Sequence, residues 1–210
     1  MPNHWADPAH AEHYLNRADR LPHRHEAEAV LLGDLSPVLP GRVLDLGCGD
    51  GRLTELVLRA YLGSTAVCAD LSTAMLMKAA QRLPSDGTVK LVQLDFDRPL
   101  PPGPPFDQPF DAVVSSFAVH HADNRRKRTL YAELAGALAP GGIFANLEIV
   151  ASPTPALHEQ WREEMGAEDD PADHLSPMET QLRWLSEAGL TDVDCIWKWR
   201  SLCLMRGRRP

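Results

Sequence analysis

Apolar positions along the chain fall into short continuous runs that alternate with longer stretches of helical spacing. Residues Arg42 to Leu46 (RVLDL) form a run that stops at a glycine cluster, as a buried parallel strand does. Arg52 to Leu62 then carries Leu53, Leu56, Val57 and Ala60 on one helix face, and Gly63 stands where a C-terminal cap belongs. Thr65 to Ala69 reads as a second strand, and Ser72 to Arg82 as a helix with Ser72 as its N-cap. Val89 to Leu94 and Ala112 to Ser115 supply strands three and four. Leu130, Leu134 and Leu138 recur every four residues, which predicts a helix from Asn124 to Ala139. Pro140-Gly141-Gly142 is expected to end it before a fifth strand, Ile143 to Val150. Ser176-Pro177-Met178-Glu179 has the form of a capping box with proline at the first helical position, so a helix should run to Ala188 and be capped by Gly189. Val193 to Trp199 and Leu202 to Arg206 lie close enough to pair as a hairpin. Repeated strand–helix alternation implies parallel strands joined by right-handed crossovers, an α/β sheet covered on both faces.

Composition narrows the classes. A chain of 210 residues with 44% hydrophobic and 24% charged residues is a globular protein, expected as one domain over residues 1–210. Folding at this size buries roughly 70% of the surface, so the core needs no staples. No apolar run approaches the roughly 20 residues that span a bilayer, and the polar start is unlike a signal peptide. The expected setting is cytoplasmic, without a membrane, as a monomer or homodimer. A formal net charge of -8 argues against a nucleic-acid backbone as the main ligand. The cysteines at 48, 68, 195 and 203 contain no Cys-x-x-Cys pair, which suits reduced thiols better than zinc or disulfides. His23 and His25 form a His-x-His pair that no neighbouring carboxylate or cysteine pattern completes, so no metal is expected. The proline-rich stretch RPLPPGPPFDQP reads as a stiff surface loop between strands three and four.

Most of the functional signal lies in Val43-Leu-Asp-Leu-Gly-Cys-Gly-Asp-Gly51 at the end of strand one. Gly47, Gly49 and Gly51 let the backbone turn sharply at the carboxyl end of a parallel strand, where open α/β sheets bind ligands. A dinucleotide fingerprint needs Gly or Ala three residues after its second glycine, and that position holds Arg52. Asp45 and Asp50 flank the loop and would repel a pyrophosphate. They would attract a cation: opposite unit charges about 4 Å apart gain about 4 kcal/mol at an effective dielectric near 20, before desolvation.

At VLDLGCGDG, at Ala69-Asp70 ending strand two, at Asp95-Phe96 after strand three and at PGG before strand five, the chain resembles the class I S-adenosylmethionine-dependent methyltransferases. The resemblance covers residues 38 to 150, with a looser match beyond. It implies a doubly wound, Rossmann-like, mostly parallel seven-stranded sheet with an antiparallel C-terminal strand hairpin. It also implies S-adenosylmethionine as donor, S-adenosylhomocysteine as product and a small-molecule methyl acceptor. Carried over residue by residue, Asp45 orients the methionine amino group while the backbone of Gly47, Cys48 and Gly49 passes under the cofactor. Asp70 accepts from the ribose hydroxyls, Leu71 and Met75 pack against adenine, Asp95 accepts from the adenine amine beside Phe96, and Ser115 completes the cofactor contacts. Met75 at helical spacing reads equally as plain core.

The segment after strand four, Ser115-Ser116-Phe117-Ala118-Val119-His120-His121, should lie beside the transferable methyl. It departs from the Asn/Asp-Pro-Pro-Tyr pattern of members that methylate amino groups of bases and glutamine, and it lacks the acids of metal-dependent catechol-type members. The leaving thioether departs neutral, so alignment and exclusion of water carry the reaction, with a base where the acceptor is a hydroxyl or a protonated nitrogen. His120 and His121 are the catalytic candidates. Residues 1–25 read as a lid-like extension with Tyr14 and Arg17 as cofactor or substrate contacts, and residues 151–175 as an insertion near the acceptor pocket. Arg125-Arg126-Lys127-Arg128 opposes the dipole of the helix it opens and hints at a partner, with a solvated face as the plainer account. Two other readings stay open at this point, a noncatalytic donor-binding sensor or assembly module and a tRNA methyltransferase suggested by Arg206, Arg208 and Arg209, while Asp45 and Arg52 disfavour an NAD-dependent oxidoreductase.

Overall fold

The computed structural model describes residues 21–166 and 170–210. Its elements run α1 (Arg24–Leu35), β1 (Arg42–Leu46), α2 (Arg52–Ala60), β2 (Thr65–Asp70), α3 (Thr73–Arg82), β3 (Val89–Gln93) and β4 (Phe110–Ser116). A single 3-10 turn (Val119–His121) follows, then α4 (Asn124–Ala137), β5 (Leu138–Ile149), α5 (Pro155–Met165), α6 (Met178–Glu187), β6 (Thr191–Trp199) and β7 (Leu202–Arg208). One seven-stranded sheet has the order β3-β2-β1-β4-β5-β7-β6. The first five strands are parallel, and β7 pairs antiparallel with both β5 and β6. The expected C-terminal hairpin is therefore present, with its second strand inserted next to β5.

Strand alternation divides the core between the two faces, as a period of two requires. Leu44, Leu46, Val113 and Phe144 point to one side and pack with Leu130, Tyr131, Leu134 and Leu185 of α4 and α6. Val43, Ala112, Val114, Ile143 and Leu147 point to the other and meet Ala27, Leu31, Leu35, Leu53 and Val57 of α1 and α2. Both faces are dry. The sheet's ligand-facing edge is thus the line of strand C-termini, where β1 and β4 part toward opposite halves.

Three local expectations need correction. Pro140-Gly141-Gly142 lies inside β5 rather than ahead of it, because Gly141 at φ +79 absorbs a register shift against Phe110 and Ala112. Ser176 does not cap α6: its hydroxyl donates to Asn124 Oδ1 at 2.6 Å and accepts from Lys127 Nζ at 2.9 Å, leaving Pro177 as the uncapped N-cap residue. The run 125–128 is not a patch. Arg126 is bonded to the carbonyls of Phe96 and Arg98 and to Glu133, Lys127 is buried, and Arg128 pairs with Glu187 at 3.0 Å.

Candidate active site

Two backbone bonds pin the turn after β1. The N–H groups of Gly47 and Cys48 both donate to Ala69 O, at 2.8 and 3.1 Å. Gly47 sits at φ +66, and a Cβ there would lie 2.2 Å from the Ala118 Cβ, so the turn abuts the segment after β4. Among the described residues nothing lies within 4 Å of a Cβ built on Gly49. The turn is therefore rigid on one side and, among the described residues, uncovered at Gly49.

Two carboxylates flank it. Asp45 is 1% exposed; its Oδ2 accepts from the Thr54 hydroxyl at 2.6 Å, while Oδ1 is buried with no partner among the described residues. Burial pushes the Asp45 carboxyl up to about 7; the Thr54 hydrogen bond opposes the rise and the charges of Asp70 and Asp50 add to it. Asp70 accepts from Gly49 N at Oδ2 and from Ser72 N at Oδ1, both at 2.8 Å, and burial raises it as well. Each Asp70 oxygen keeps lone-pair capacity for a second donor.

The remaining donor-side candidates lie along β2 to β4. Leu71 is half-buried, and Met75 is 1% exposed within α3, in the interior. Asp95 is partly exposed and pairs with Arg98 Nε at 3.4 Å. The half-buried Phe96 ring comes within 3.8 Å of the Cβ position of Gly47. Ser115 is fully buried, its hydroxyl spent on Leu46 O at 2.8 Å. Cys48 is 7% exposed. Tyr14 and Arg17 lie outside the described residues, as does all but residues 21–25 of the N-terminal extension.

A second charged group stands after β4. Phe117 holds φ +54, a costly conformation for an aromatic residue, and turns the chain so that Val119–His121 begins directly beyond the Gly47 contact. His120 Nδ1 lies 2.5 Å from Glu148 Oε1, its Nε2 3.4 Å from Asp173 Oδ1, and His121 Nδ1 3.2 Å from the same oxygen. The two imidazole centroids are 4.0 Å apart. Burial disfavours the His120 imidazolium, but Glu148 and Asp173 outweigh it and raise the ring above the usual range. His121 is pushed down by burial and by the charge of His120. Lys127, fully buried, donates to His174 O and Ser176 Oγ and so ties the segment carrying Asp173 to α4.

Glu148, Thr54, Lys127 and Arg126 were invisible as site residues in the sequence. Glu148 is one charged position inside an otherwise apolar strand, NLEIV, and that exception was its only signal. A cavity of about 390 Å³ opens nearby in sequence, lined by Ala151, Ser152, Pro153, Thr154, Pro155, His158 and Leu175. Ser152 Oγ is buried with no partner among the described residues. The guanidiniums suggestive of RNA are engaged within the chain: Arg206 with Asp34 at 2.9 Å, Arg208 with Gly141 O, Arg209 with Gly136 O and Leu138 O.

Comparison with known proteins agrees with this layout. The chain is 38% identical over 135 residues to a trans-aconitate 2-methyltransferase of Methylobacterium nodulans, covering 64% of this chain and 47% of that protein. It is 36% identical over 127 residues to a trans-aconitate 2-methyltransferase of Acidovorax sp., covering 60% and 45%. It thus spans about half the length of these curated relatives. Human N-acetylserotonin methyltransferase in complex with SAM superposes with a TM-score of 0.71 at 17% identity, over 98% of this chain and 57% of that one. An S-adenosylmethionine dependent methyltransferase from Mesorhizobium loti gives 0.66 at 22%, over 87% and 98%. Residues 43–142 match the methyltransferase domain family, the span from the acid-flanked glycine turn to the start of β5. Over this span, and in its fold, the chain is similar to the class I S-adenosylmethionine-dependent methyltransferases.

Proposed function

We propose that this protein moves a methyl group from S-adenosylmethionine to a small organic acceptor, with donor and acceptor meeting between the Gly47–Gly51 turn and the His120–Glu148 pair. The unsatisfied Oδ1 of Asp45 carries the reading. A buried carboxylate oxygen with no partner, next to a turn open at Gly49, calls for a cationic hydrogen-bond donor. The ammonium of the donor's methionine moiety is such a group. When bound, the donor supplies a methyl on a positively charged sulfur and leaves as a neutral thioether.

The protein's own residues then divide the work. Asp70, held still by the Gly49 and Ser72 N–H groups, offers its remaining lone pairs to the ribose hydroxyls. Asp95 and Phe96 border the adenine, on a loop clamped by Arg126 through the Phe96 and Arg98 carbonyls. Glu148 accepts from His120 Nδ1–H, which leaves Nε2 as the ring's proton acceptor. A proton taken there sits between two carboxylates, Glu148 and Asp173, which stabilise the imidazolium. His121 lines the same wall.

The cavity after β5 is proposed as the acceptor pocket. Its volume falls in the range of small-molecule sites, and Ser152 Oγ offers a hydrogen bond inside an otherwise largely apolar lining. The trans-aconitate relatives put tricarboxylic acids on the acceptor panel. Among the described residues the cavity's lining includes no Lys or Arg, which favours less charged molecules over them.

Calorimetry with S-adenosylmethionine, S-adenosylhomocysteine and NAD tests the donor site: the first two should bind and NAD should not. NAD binding, or an absence of donor binding, would reject the assignment. Labelled methyl transfer into a metabolite extract, with and without nuclease, tests the acceptor class. Label should enter small molecules irrespective of nuclease. Donor binding without any transfer would make the protein a noncatalytic module.

A further inference from the structure

We propose that His120, His121 and Asp173 form a binding site for a divalent first-row transition ion of the zinc type, with Glu148 as the outer partner of His120. One ligand atom from each of the three residues lies within 4.8 Å of the others. The spacing is the first argument. A tetrahedral ion about 2.0–2.1 Å from nitrogen and oxygen donors sets those donors roughly 3.3 Å apart. Asp173 Oδ1 stands 3.4 Å from His120 Nε2 and 3.2 Å from His121 Nδ1. A charge-assisted hydrogen bond would close to about 2.7–2.9 Å. The carboxylate thus stands at ligand-to-ligand spacing from both rings.

The outer partner is the second argument. Metal-bound histidines direct their other ring nitrogen onto a carboxylate, which fixes the tautomer and aims the lone pair. Glu148 does this to His120 at 2.5 Å, from a fully buried position in β5. Charge agrees: with neutral imidazoles, Glu148 and Asp173 against Lys127 leave one net negative charge in a largely buried space. Lys127 turns its ammonium onto His174 O and Ser176 Oγ and braces the segment that brings Asp173 in, while His174 N–H bonds His120 O at 2.9 Å.

Two imidazoles and one carboxylate select zinc, cobalt or nickel over magnesium and calcium, which prefer oxygen alone. Three protein ligands leave a fourth position for water or an oxygen of a small molecule. An ion entering between the rings, now 4.0 Å apart, parts them. Ion and proton compete for the same His120 Nε2, so the loaded protein holds that nitrogen out of proton transfer.

Metal binding is read without any methyl transfer, which separates this inference from the proposed activity. The full chain, stripped with chelator, is titrated with Co2+ and followed by visible absorption, then with Zn2+ by calorimetry. One Co2+ per chain with the strong bands of a tetrahedral site is expected. Asp173→Ala and His121→Ala should each weaken binding at least about tenfold, and Glu148→Gln by about 10–100-fold, with circular dichroism confirming that each variant is folded. A His23→Ala/His25→Ala double variant should bind as the parent does. Absence of stoichiometric binding would overturn the proposal. So would bands undiminished in the Asp173 and His121 variants but lost when His23 and His25 are replaced.

Discussion

At the scale of single residues, Asp45 makes the most specific statement about the donor. A carboxyl raised by burial to about 7 is half protonated at neutral pH, and a cation binds its ionised form. The sign follows: donor affinity rises as pH climbs through 7 and levels off above it, and binding at pH 7 releases a fraction of a proton. Between pH 6 and pH 8 the gain should be about tenfold, by calorimetry in two buffers of different ionisation enthalpy. Asp70 is raised by burial too and contributes in the same direction, so Asp45→Asn should flatten most of the dependence without abolishing it. A pH-independent donor affinity in the parent protein would remove Asp45 from the ammonium site. Asp70→Ala should weaken the donor at least about tenfold, since it loses two charge-assisted bonds worth about 1.5–3 kcal/mol each. Unchanged affinity would withdraw the ribose assignment.

Elements show where sequence patterning succeeds and where it fails. Helices α2, α3 and α4 and the seven strands were legible because most bury an apolar stripe or run, with boundaries off by a residue or two except at the start of β5, which lies five residues earlier than expected. Helix α1 was not. Its inner face carries Ala27, Leu31 and Leu35, but also Glu28 at 2% exposure and Arg24 at 8%, so the stripe reads as broken. Glu28 is legible only as a partner. It takes Arg24 Nε at 2.9 Å and both Arg52 Nε and Nη2 at 2.8 Å, fastening α1 to the residue that follows the glycine turn. The donor-side acids were readable because strand ends announce them. The acceptor side was not, because Glu148 and Asp173 meet the histidines only through the fold. Breaking a buried ion pair from one side costs about 3–5 kcal/mol. Glu28→Leu should therefore destabilise the protein by about that much in urea unfolding, since two guanidiniums lose their shared carboxylate. A loss below about 1 kcal/mol would mean that solvent already screens the cluster. Gly47→Ala should cost about 3 kcal/mol, from the left-handed backbone and the Ala118 clash together, and Ala118→Gly should restore part of it.

Across the whole molecule, the two sets of proposed contacts come from different parts of the chain. Donor contacts arise from β1 through the loop after β3, whereas the acceptor wall comes from the turn after β4, the end of β5 and residues 151–175. The Gly47–Ala118 contact joins them, so a backbone junction links the proposed donor turn to the proposed acceptor wall. Donor affinity and acceptor choice should therefore be separable by mutation. Ser152→Leu fills part of the cavity and removes its buried hydroxyl, at a site well after the glycine turn in the chain. The donor Kd, by calorimetry, should stay within about twofold, because no donor contact changes. KM for the acceptor should rise about tenfold, the cost of about 1.4 kcal/mol of lost complementarity. The kcat should fall less, since alignment at His120 and Glu148 is intact. A Ser152→Leu protein with unchanged acceptor KM would move the acceptor out of this cavity. One that had lost donor affinity would show that the two halves are coupled beyond the Gly47 junction.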